Sequence, residues 1–471
     1  MISTADIIKS AFYLILIVVI GFLLPRTELS AADNDSTKFY RKIVFRESPY
    51  AELKGAYKIS QQEAEHCLHF KITYNKKGRP TMVEYKRGDE LFPVNLPNRV
   101  LFNYFIRAPK TVIKYEKSKE IRTFFDQWDK PTAVSGQVFK EVYYFNDSKR
   151  SSLKFFSINN TPIENDWGIH RYEWSIDERG FVKEQRFDLD SNQVRIRPEF
   201  EFYEVRMEYD EKGLIKRLFN YGLDGKLTEN STGVAYDQLS YNDKGDFTGW
   251  EVFNKNYKAV IGNHPMVHRG EHSYNSKGYP VLYKSFDVDG NLINDSDNSY
   301  VNRRIYNDWG DLIQSRYYEL NTNKLVKEGR PAIIDFVLTE EGYPFEITLL
   351  TGDGSFINNQ PPKRRQTYYE DGKLKQISFW DKNYNLLDRY EHFYNERGQL
   401  SIIKRINVAN EILYVQRRFY DEWERPIGFK YFTTEGKPTI GRGFHEMRYF
   451  YDTDWRRQEI RYDLEGNVIE N

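Results

Sequence analysis

Three histidines spaced four residues apart are the first side chains in this sequence that could do chemistry. On an α-helix, His264, His268 and His272 would lie on one side and could offer three imidazoles to a metal ion. Pro265 and Gly270 would interrupt that helix, and His272 belongs to a stretch with strand-like alternation. The spacing therefore favours a polar link between repeats over a metal site.

Two further groups carry side chains that metals bind. His66, Cys67 and His69 are close in sequence, but in a strand Cys67 and His69 would lie on one face and His66 on the other. The run from Asp287 to Asn291, with two aspartates downstream, collects carboxylates that Ca²⁺ prefers, but it lacks the spacing of an EF-hand. We therefore predict neither a metal ion nor any other cofactor.

Motifs that would mark an enzyme are missing from the sequence. It contains no Gly-x-Ser-x-Gly nucleophile elbow, no phosphate-binding Gly-Lys-Ser/Thr loop and no His-Glu-x-x-His pair. Two carboxylates facing each other across a groove would suit hydrolysis of a glycosidic bond, and the chain has 69 acidic residues to supply them. A protein without catalytic activity is the prediction, and an extracellular carbohydrate-active hydrolase is the alternative.

Aromatic side chains are the better candidates for binding, since Phe, Trp and Tyr make up 16% of the chain. In a sheet that packs on one face, inward rings form the core, and outward rings can stack on sugars or on protein partners. The candidate partner-binding residues are Trp250, Trp309, Trp380, Trp423 and Trp455. Partners are therefore expected to be protein or glycan.

A repeated unit must position these side chains. It consists of an aromatic residue, Asp or Asn, two mostly polar residues and Gly, and from Gly180 to Gly342 its glycines are 33, 32, 33, 32 and 32 residues apart. A second turn follows twelve residues after the first, as Gly225 follows Gly213. Asp or Asn can accept bonds from backbone N–H groups two residues on, and Gly supplies positive φ. Alternating apolar and polar residues between the turns predict antiparallel strands with one apolar face.

The run Tyr209-Asp210-Glu211-Lys212-Gly213 and its copies resemble the YD repeats of bacterial RHS-type proteins. The resemblance covers roughly residues 170–471. In that family the repeats form β-sheet shells or extended surface structures, and some shells enclose a toxin domain. The resemblance therefore implies a β-repeat protein of the bacterial envelope or cell surface.

The first residues of the chain have the pattern of an export signal. Lys9 precedes an apolar run of 14 residues, Ala11 to Leu24, and the small residues at 30–32 follow. The run is shorter than the roughly 20 residues of a membrane-spanning helix. We predict a signal peptide or retained signal anchor over residues 1–32, the only segment that could attach the chain to a membrane, and a location in the periplasm, on the surface or outside the cell.

Charge and cysteine content exclude other classes. Lys plus Arg and Asp plus Glu both total 69, so the net charge of zero gives no support for binding nucleic acid. Cys67 is the only cysteine, so no intramolecular disulfide can form.

The combined prediction is an all-β chain. About 10–12 antiparallel hairpin or meander repeats, each about 26–33 residues long, form an extended, curved sheet or solenoid. An N-terminal β cap or divergent repeats occupy 33–140, and the YD-like array occupies 141–471. A closed propeller is the other arrangement, but it usually has about 4–8 blades, so the number of units favours the open form.

Overall fold

The computed structural model describes residues 36–469 except 46, 95, 99–106, 197–199, 297–300, 327–330, 354, 356–360, 362, 370–372, 422–425 and 452–456. Within these ranges the protein is all-β, with thirty strands and a single helical turn, which confirms the predicted fold class. The predicted signal segment, residues 1–32, lies outside the described part. No helix in that described part is both long enough and apolar enough to cross a bilayer.

The strands are short and follow one another along the whole chain. The first ten are β1 (Ser36–Ile43), β2 (Gly55–Ile59), β3 (Leu68–Tyr74), β4 (Pro80–Arg87), β5 (Glu90–Leu91), β6 (Lys110–Glu116), β7 (Lys119–Phe125), β8 (Lys140–Asn146), β9 (Lys149–Phe156) and β10 (Arg171–Ile176), with helix α1 (Gln61–Ala64) after β2. The next ten are β11 (Val182–Phe187), β12 (Glu204–Tyr209), β13 (Ile215–Tyr221), β14 (Tyr236–Tyr241), β15 (Phe247–Phe253), β16 (Arg269–Tyr274), β17 (Pro280–Phe286), β18 (Val301–Tyr306), β19 (Leu312–Tyr318) and β20 (Ile333–Leu338). The last ten are β21 (Pro344–Leu350), β22 (Lys363–Tyr368), β23 (Leu374–Trp380), β24 (Leu386–Tyr394), β25 (Leu400–Ile406), β26 (Ile412–Tyr420), β27 (Pro426–Phe432), β28 (Glu446–Tyr451), β29 (Arg457–Tyr462) and β30 (Val468–Ile469).

All these strands belong to one open antiparallel sheet. Strand β1 lies between β2 and β3, and β4 pairs with β3, with the short β5 and with β6. From β6 to β30 each strand pairs with the next strand in the chain. The sheet is therefore a meander of hairpins whose spatial order follows the sequence.

The Asp or Asn of the repeat holds most of the described turns, as its chemistry predicts. Asp210 Oδ1 accepts hydrogen bonds from the N–H groups of Lys212 (2.9 Å) and Leu214 (2.8 Å), and Gly213 has a φ of +76°. The same pair of bonds, to the second and fourth residues on, is made by Asn75, Asp126, Asn165, Asp177, Asn230, Asn242, Asn254, Asn275, Asp287, Asp381, Asn395 and Asn407. Because these donors face no strand, the side chain satisfies groups that would otherwise need water.

In several units the tyrosine of the motif joins the unit to the one before it. Tyr274 Oη donates to the carbonyl of Phe247 (2.6 Å), two residues after the preceding motif glycine, Gly245. Equivalent bonds run from Tyr306 to Pro280 (2.9 Å), Tyr368 to Pro344 (3.0 Å), Tyr394 to Leu374 (3.1 Å) and Tyr420 to Leu400 (2.7 Å). Tyr115 bonds Pro80 in the same way (3.0 Å), inside the predicted cap. The hydroxyl explains why the motif uses Tyr rather than Phe.

Alternation gives the sheet two faces with different contents. The core face carries Trp174, Met207 and Leu239 in successive units, and these belong to a cluster of buried apolar residues. The outer face carries pairs of a cation and an aromatic ring on adjacent strands. The guanidinium carbon lies 4.0–4.8 Å from the ring centre in Arg171–Phe187, Arg206–Tyr221, Arg269–Phe286, Arg303–Tyr318, Arg417–Phe432 and Arg448–Tyr462. The outer face is therefore amphipathic rather than simply polar.

Residues 36–94 begin the sheet and also contact its core face further along the chain. Arg150 Nη1 donates to the carbonyls of residues 49–51 at 2.8–2.9 Å. Ser48 donates to the buried carboxylate of Glu184, which lies on the core face of β11. The loop after β1 is thus fixed against strands that follow it by about a hundred residues or more.

Two buried ion pairs continue this contact at the turns. Lys42 Nζ lies 2.5 Å from Asp246 Oδ1, and Tyr57 Oη donates to the other oxygen of the same carboxylate at 2.5 Å. Arg87 Nη2 lies 3.6 Å from Asp311 Oδ2. Both aspartate side chains are fully buried and directly follow the glycine of their motif. Breaking a buried pair leaves an uncompensated charge, so these contacts hold the N-terminal segment firmly in place.

Candidate partner-binding site

The described tryptophan candidates occupy three different environments. Trp250 lies on the core face, where its ring stacks on Phe247 (6.1 Å between centres) and Tyr283 (6.2 Å). Gly270 lies directly beside it, and a Cβ there would meet the indole. Trp250 therefore contributes to packing inside the sheet.

Trp309 lies in the turn between β18 and β19 and contacts the N-terminal segment. The guanidinium carbon of Arg87 is 4.0 Å from its ring centre, and its carbonyl accepts a bond from Leu68 N–H at 2.7 Å. Its ring is thus engaged within the chain. Trp423 and Trp455 lie outside the described residues.

Trp380 lies on the outer face, at the end of β23, beside other aromatic rings. The guanidinium carbon of Arg365 is 5.1 Å from the Trp380 ring centre, 5.0 Å from that of Tyr384 and 5.7 Å from that of Phe345. Phe345 is 39% exposed and Tyr384 is 47% exposed. We call Phe345, Glu346, Lys363, Arg365, Trp380 and Tyr384 the outer patch.

Ion pairs fix the cations of the outer patch. Glu346 pairs across the ladder with Arg365, whose Nε donates to it at 2.7 Å, and Lys363 Nζ is 3.4 Å from the same carboxylate. Lys363 also lies 3.6 Å from the ring centre of Tyr384 and contacts its hydroxyl. The patch is thus a group of aromatic rings around two oriented cations, Lys363 and Arg365. Its one carboxylate, Glu346, is 7% exposed.

Tyr384 owes its exposure to a strained turn. It stands where the second turn of a unit has glycine, as at Gly225 and Gly290, and its φ is +62°. Tyr257 occupies the same position in another unit, with a φ of +61° and 59% of its surface exposed. Left-handed backbone costs a non-glycine residue about 1–3 kcal/mol and is concentrated at functional positions. Sequence reasoning missed both tyrosines, although the twelve-residue offset marks their positions.

The metal-ligating candidates serve the fold. His268 Nδ1 contacts the carbonyl of Val252 (3.1 Å), His69 Nδ1 contacts that of Cys67 (3.1 Å), and the first Asp of the 287–291 run holds its own turn. Burial raises the pKa of the Cys67 thiol. In the ranges that the structure covers, no three His, Cys, Asp or Glu side chains converge as metal ligands.

His272 is a half-buried titratable group on the core face. Its ring lies 5.9 Å from that of Trp250 and 5.0 Å from that of Tyr283. Burial, followed by the nearby positive charge of Arg304, lowers the pKa of His272 to about 3. The imidazole is therefore neutral in the folded protein at neutral and mildly acidic pH.

Comparisons with known proteins give little similarity. No protein-family model matches the sequence, and no curated protein is similar to it. The structure of the Photorhabdus luminescens Tc holotoxin pore matches 90% of this chain and 21% of the toxin chain, with 11% identity and a TM-score of 0.30. The TcdB2-TccC3-TEV crystal structure matches 96% of this chain and 25% of that one (10% identity, TM-score 0.27), and TcdB2-TccC3-Cdc42 matches 83% and 23% (12%, 0.22). The chain spans a quarter or less of these proteins, and similarity at this level establishes neither a common fold nor a common activity.

The lowered pKa of His272 predicts an acid-sensitive fold. Below the ordinary pKa of about 6.5 the unfolded chain protonates this imidazole and the folded chain does not, so stability falls as pH decreases towards 3. Replacing His272 by Gln should remove roughly 1–2 kcal/mol of the stability loss between about pH 6.5 and 5. Urea unfolding at both pH values measures this. Replacement of the exposed His264 by Gln is the control, and equal pH dependence in the two variants would contradict the assignment.

Proposed function

We propose that this chain is an exported β-repeat scaffold of the cell envelope or surface that binds protein or glycan partners. The observation that carries the proposal is the outer patch, where Tyr384 replaces the glycine of a second turn and its ring, like those of Trp380 and Phe345, lies around the guanidinium of Arg365. Strain of this kind persists when something other than the turn itself benefits from it.

The composition of the outer patch suits recognition rather than catalysis. Tyr and Trp rings offer large contact areas with few rotatable bonds, so little entropy is lost when a partner orders them. Lys363 and Arg365 are already oriented by Glu346, which lowers the cost of using them in an interface. We assign no catalytic role to the patch, because its carboxylate is neutralised by these two cations.

Partner binding is tested by replacing Tyr384 with Gly. Glycine fits a φ of +62°, so the variant should keep or gain thermal stability while it loses an exposed ring. Binding to the ligands that the native chain selects from a glycan array and from a panel of purified envelope proteins should weaken about tenfold or more, as for a hot-spot aromatic residue. The matched control is Tyr257→Gly, which removes a ring from an equivalent turn elsewhere in the array. Equal affinities of the native chain and Tyr384→Gly would contradict the proposal.

Export is tested by cell fractionation of the tagged full-length chain. The protein should be recovered outside the cytoplasm, and a variant that lacks residues 1–32 should stay inside, because the deletion removes the predicted signal. Recovery of most of the full-length protein from the cytosol would refute this part of the proposal.

A further inference from the structure

The polarity of the core face increases along the array. In the early units the residue two positions before the motif aromatic is apolar, namely Trp174, Met207 and Leu239. In later units it is mostly polar, namely His272, Arg304, Gln366, His392 and Arg418, and the aromatic residues Phe336 and Tyr449 are the exceptions. The registers of β16 to β27 keep these residues on one face.

Three arginines on this face keep buried guanidinium nitrogens without an acceptor. They are Arg304 (Nη1, on β18), Arg364 (Nε, on β22) and Arg418 (Nε, on β26). Each lies four strands from the next, which is about 19 Å at the usual spacing between strands. Burial lowers the pKa of Arg364, and the neighbouring Tyr368 only partly offsets it. The face therefore presents a regular row of positive charges that are not neutralised by an ion pair within the described residues.

In earlier units, arginines on the core face have carboxylate partners. On the core face, Arg122 of β7 and Arg150 of β9 both pair with Glu120 of β7, at 2.5 Å and 3.0 Å. Burial raises the pKa of that carboxyl, but the two guanidinium groups outweigh it and hold the pKa at about 2. On β11, Arg186 pairs with Glu184. The arginines between β18 and β26 thus differ from these earlier core-face arginines, which have carboxylate partners.

Acceptor oxygens on the same face also lack partners. Asn302 Oδ1, Gln366 Oε1 and Gln416 Oε1 belong to side chains that are more than nine-tenths buried, and none receives a hydrogen bond. Buried amides in proteins are normally satisfied, and an unsatisfied one costs free energy. A complementary ligand must therefore provide donors as well as negative charge. Aromatic rings line the same surface, at Tyr283, Tyr317, Phe336, Tyr390 and Tyr414.

We propose that the core face from β18 to β26 binds an anionic glycan that runs across the strands. Its carboxylate, phosphate or sulfate groups neutralise Arg304, Arg364 and Arg418, its hydroxyls donate to the three amides, and its sugar rings lie against the aromatic residues. The inference rests on the proposed binding function, but it uses the opposite face of the sheet from the outer patch. Each residue of an acidic sugar polymer supplies negative charge, several hydroxyl donors and an apolar ring face, which match the three features of this face.

The chain supplies its own matched controls. Two of the three arginines, Arg304 and Arg418, have an arginine beside them in the sequence that points to the outer face and lies outside the outer patch, namely Arg303 and Arg417. A change from Arg to Gln at either member of a pair removes the same charge from the same strand. Only the face that loses the charge differs.

The test measures binding of the full chain to oligogalacturonate, to its neutral methyl ester, and to phosphate- and sulfate-bearing glycans. The native chain should bind at least one anionic glycan and lose about tenfold or more on neutralisation of that glycan. Arg304→Gln, Arg364→Gln and Arg418→Gln should each weaken binding about tenfold, with a smaller salt dependence, while Arg303→Gln and Arg417→Gln stay within about twofold.

Several results would overturn the inference. Equal binding of the acid and its ester, equal effects of core-face and outer-face variants, or tighter binding of poly-glutamate or a single-stranded oligonucleotide would each refute it. Circular dichroism of every variant separates lost binding from lost folding. If the chain binds no anionic glycan but still binds a partner in a way that depends on Tyr384, this inference alone is refuted. If partner binding does not depend on Tyr384, the proposed function is refuted instead.

Discussion

A single sheet with an apolar face is stable in water only when something covers that face. In this protein residues 36–94 cover part of it, through contacts that run from Arg150 to Tyr343. The ends of that span are set by Arg150, which donates to the carbonyls of residues 49–51, and by Phe92, whose ring lies 5.3 Å from that of Tyr343. Within the span the two buried aspartates are neutralised by Lys42 and Arg87. The rest of the architecture depends on this cover, because the hydrogen bonds of the ladder do not themselves hide the core face.

The cover also divides the protein into regions with different chemistry. Where it contacts the core face, the inward residues are mainly large and apolar, and their charges are paired. From β16 onward, where its contacts are with the turns at Gly278, Trp309 and Tyr343, the same strand positions are mostly histidine, arginine or glutamine. The outer face has pairs of a cation and an aromatic ring in both early and late units. In the outer patch several rings, rather than one, lie around a cation. One repeat can therefore serve packing and recognition, because the turn and ladder leave the facing side chains free to vary.

The repeat and its turns were predictable from the sequence because their causes are local. An Asx side chain reaches only two to four residues, so the spacing of Asp210 and Gly213 already contains the turn. The registers of the hairpins follow from the same spacing. The division at residues 32 and 140 stays a prediction, although the turn at Asn75 and the bond from Tyr115 to Pro80 resemble those of the later units.

The rest could not be seen in the sequence because it depends on distant contacts or on a shift of register. Lys42 and Asp246 are separated by 204 residues, and no pattern links them. Simple alternation does not reveal the face of Trp250, because the register shifts between Ser240 and Tyr241 and brings Phe247 and Trp250 to the same face. The tyrosines at the glycine positions of second turns depart from the motif. Such departures mark functional or strained positions, which a consensus motif does not show.

Hydrogen exchange in the variants Gly278→Ala and Gly290→Ala tests most directly whether the N-terminal segment covers the array. The two glycines have φ values of +84° and +82°, so both variants carry nearly the same backbone strain. An added Cβ at Gly278 would lie 2.6 Å from the ring of Tyr57, whereas one at Gly290 would meet nothing within 4 Å. Gly278→Ala alone should speed exchange in residues 36–59 as well as around its own turn. Equal exchange of residues 36–59 in the two variants would contradict the claim that this segment is held against the array.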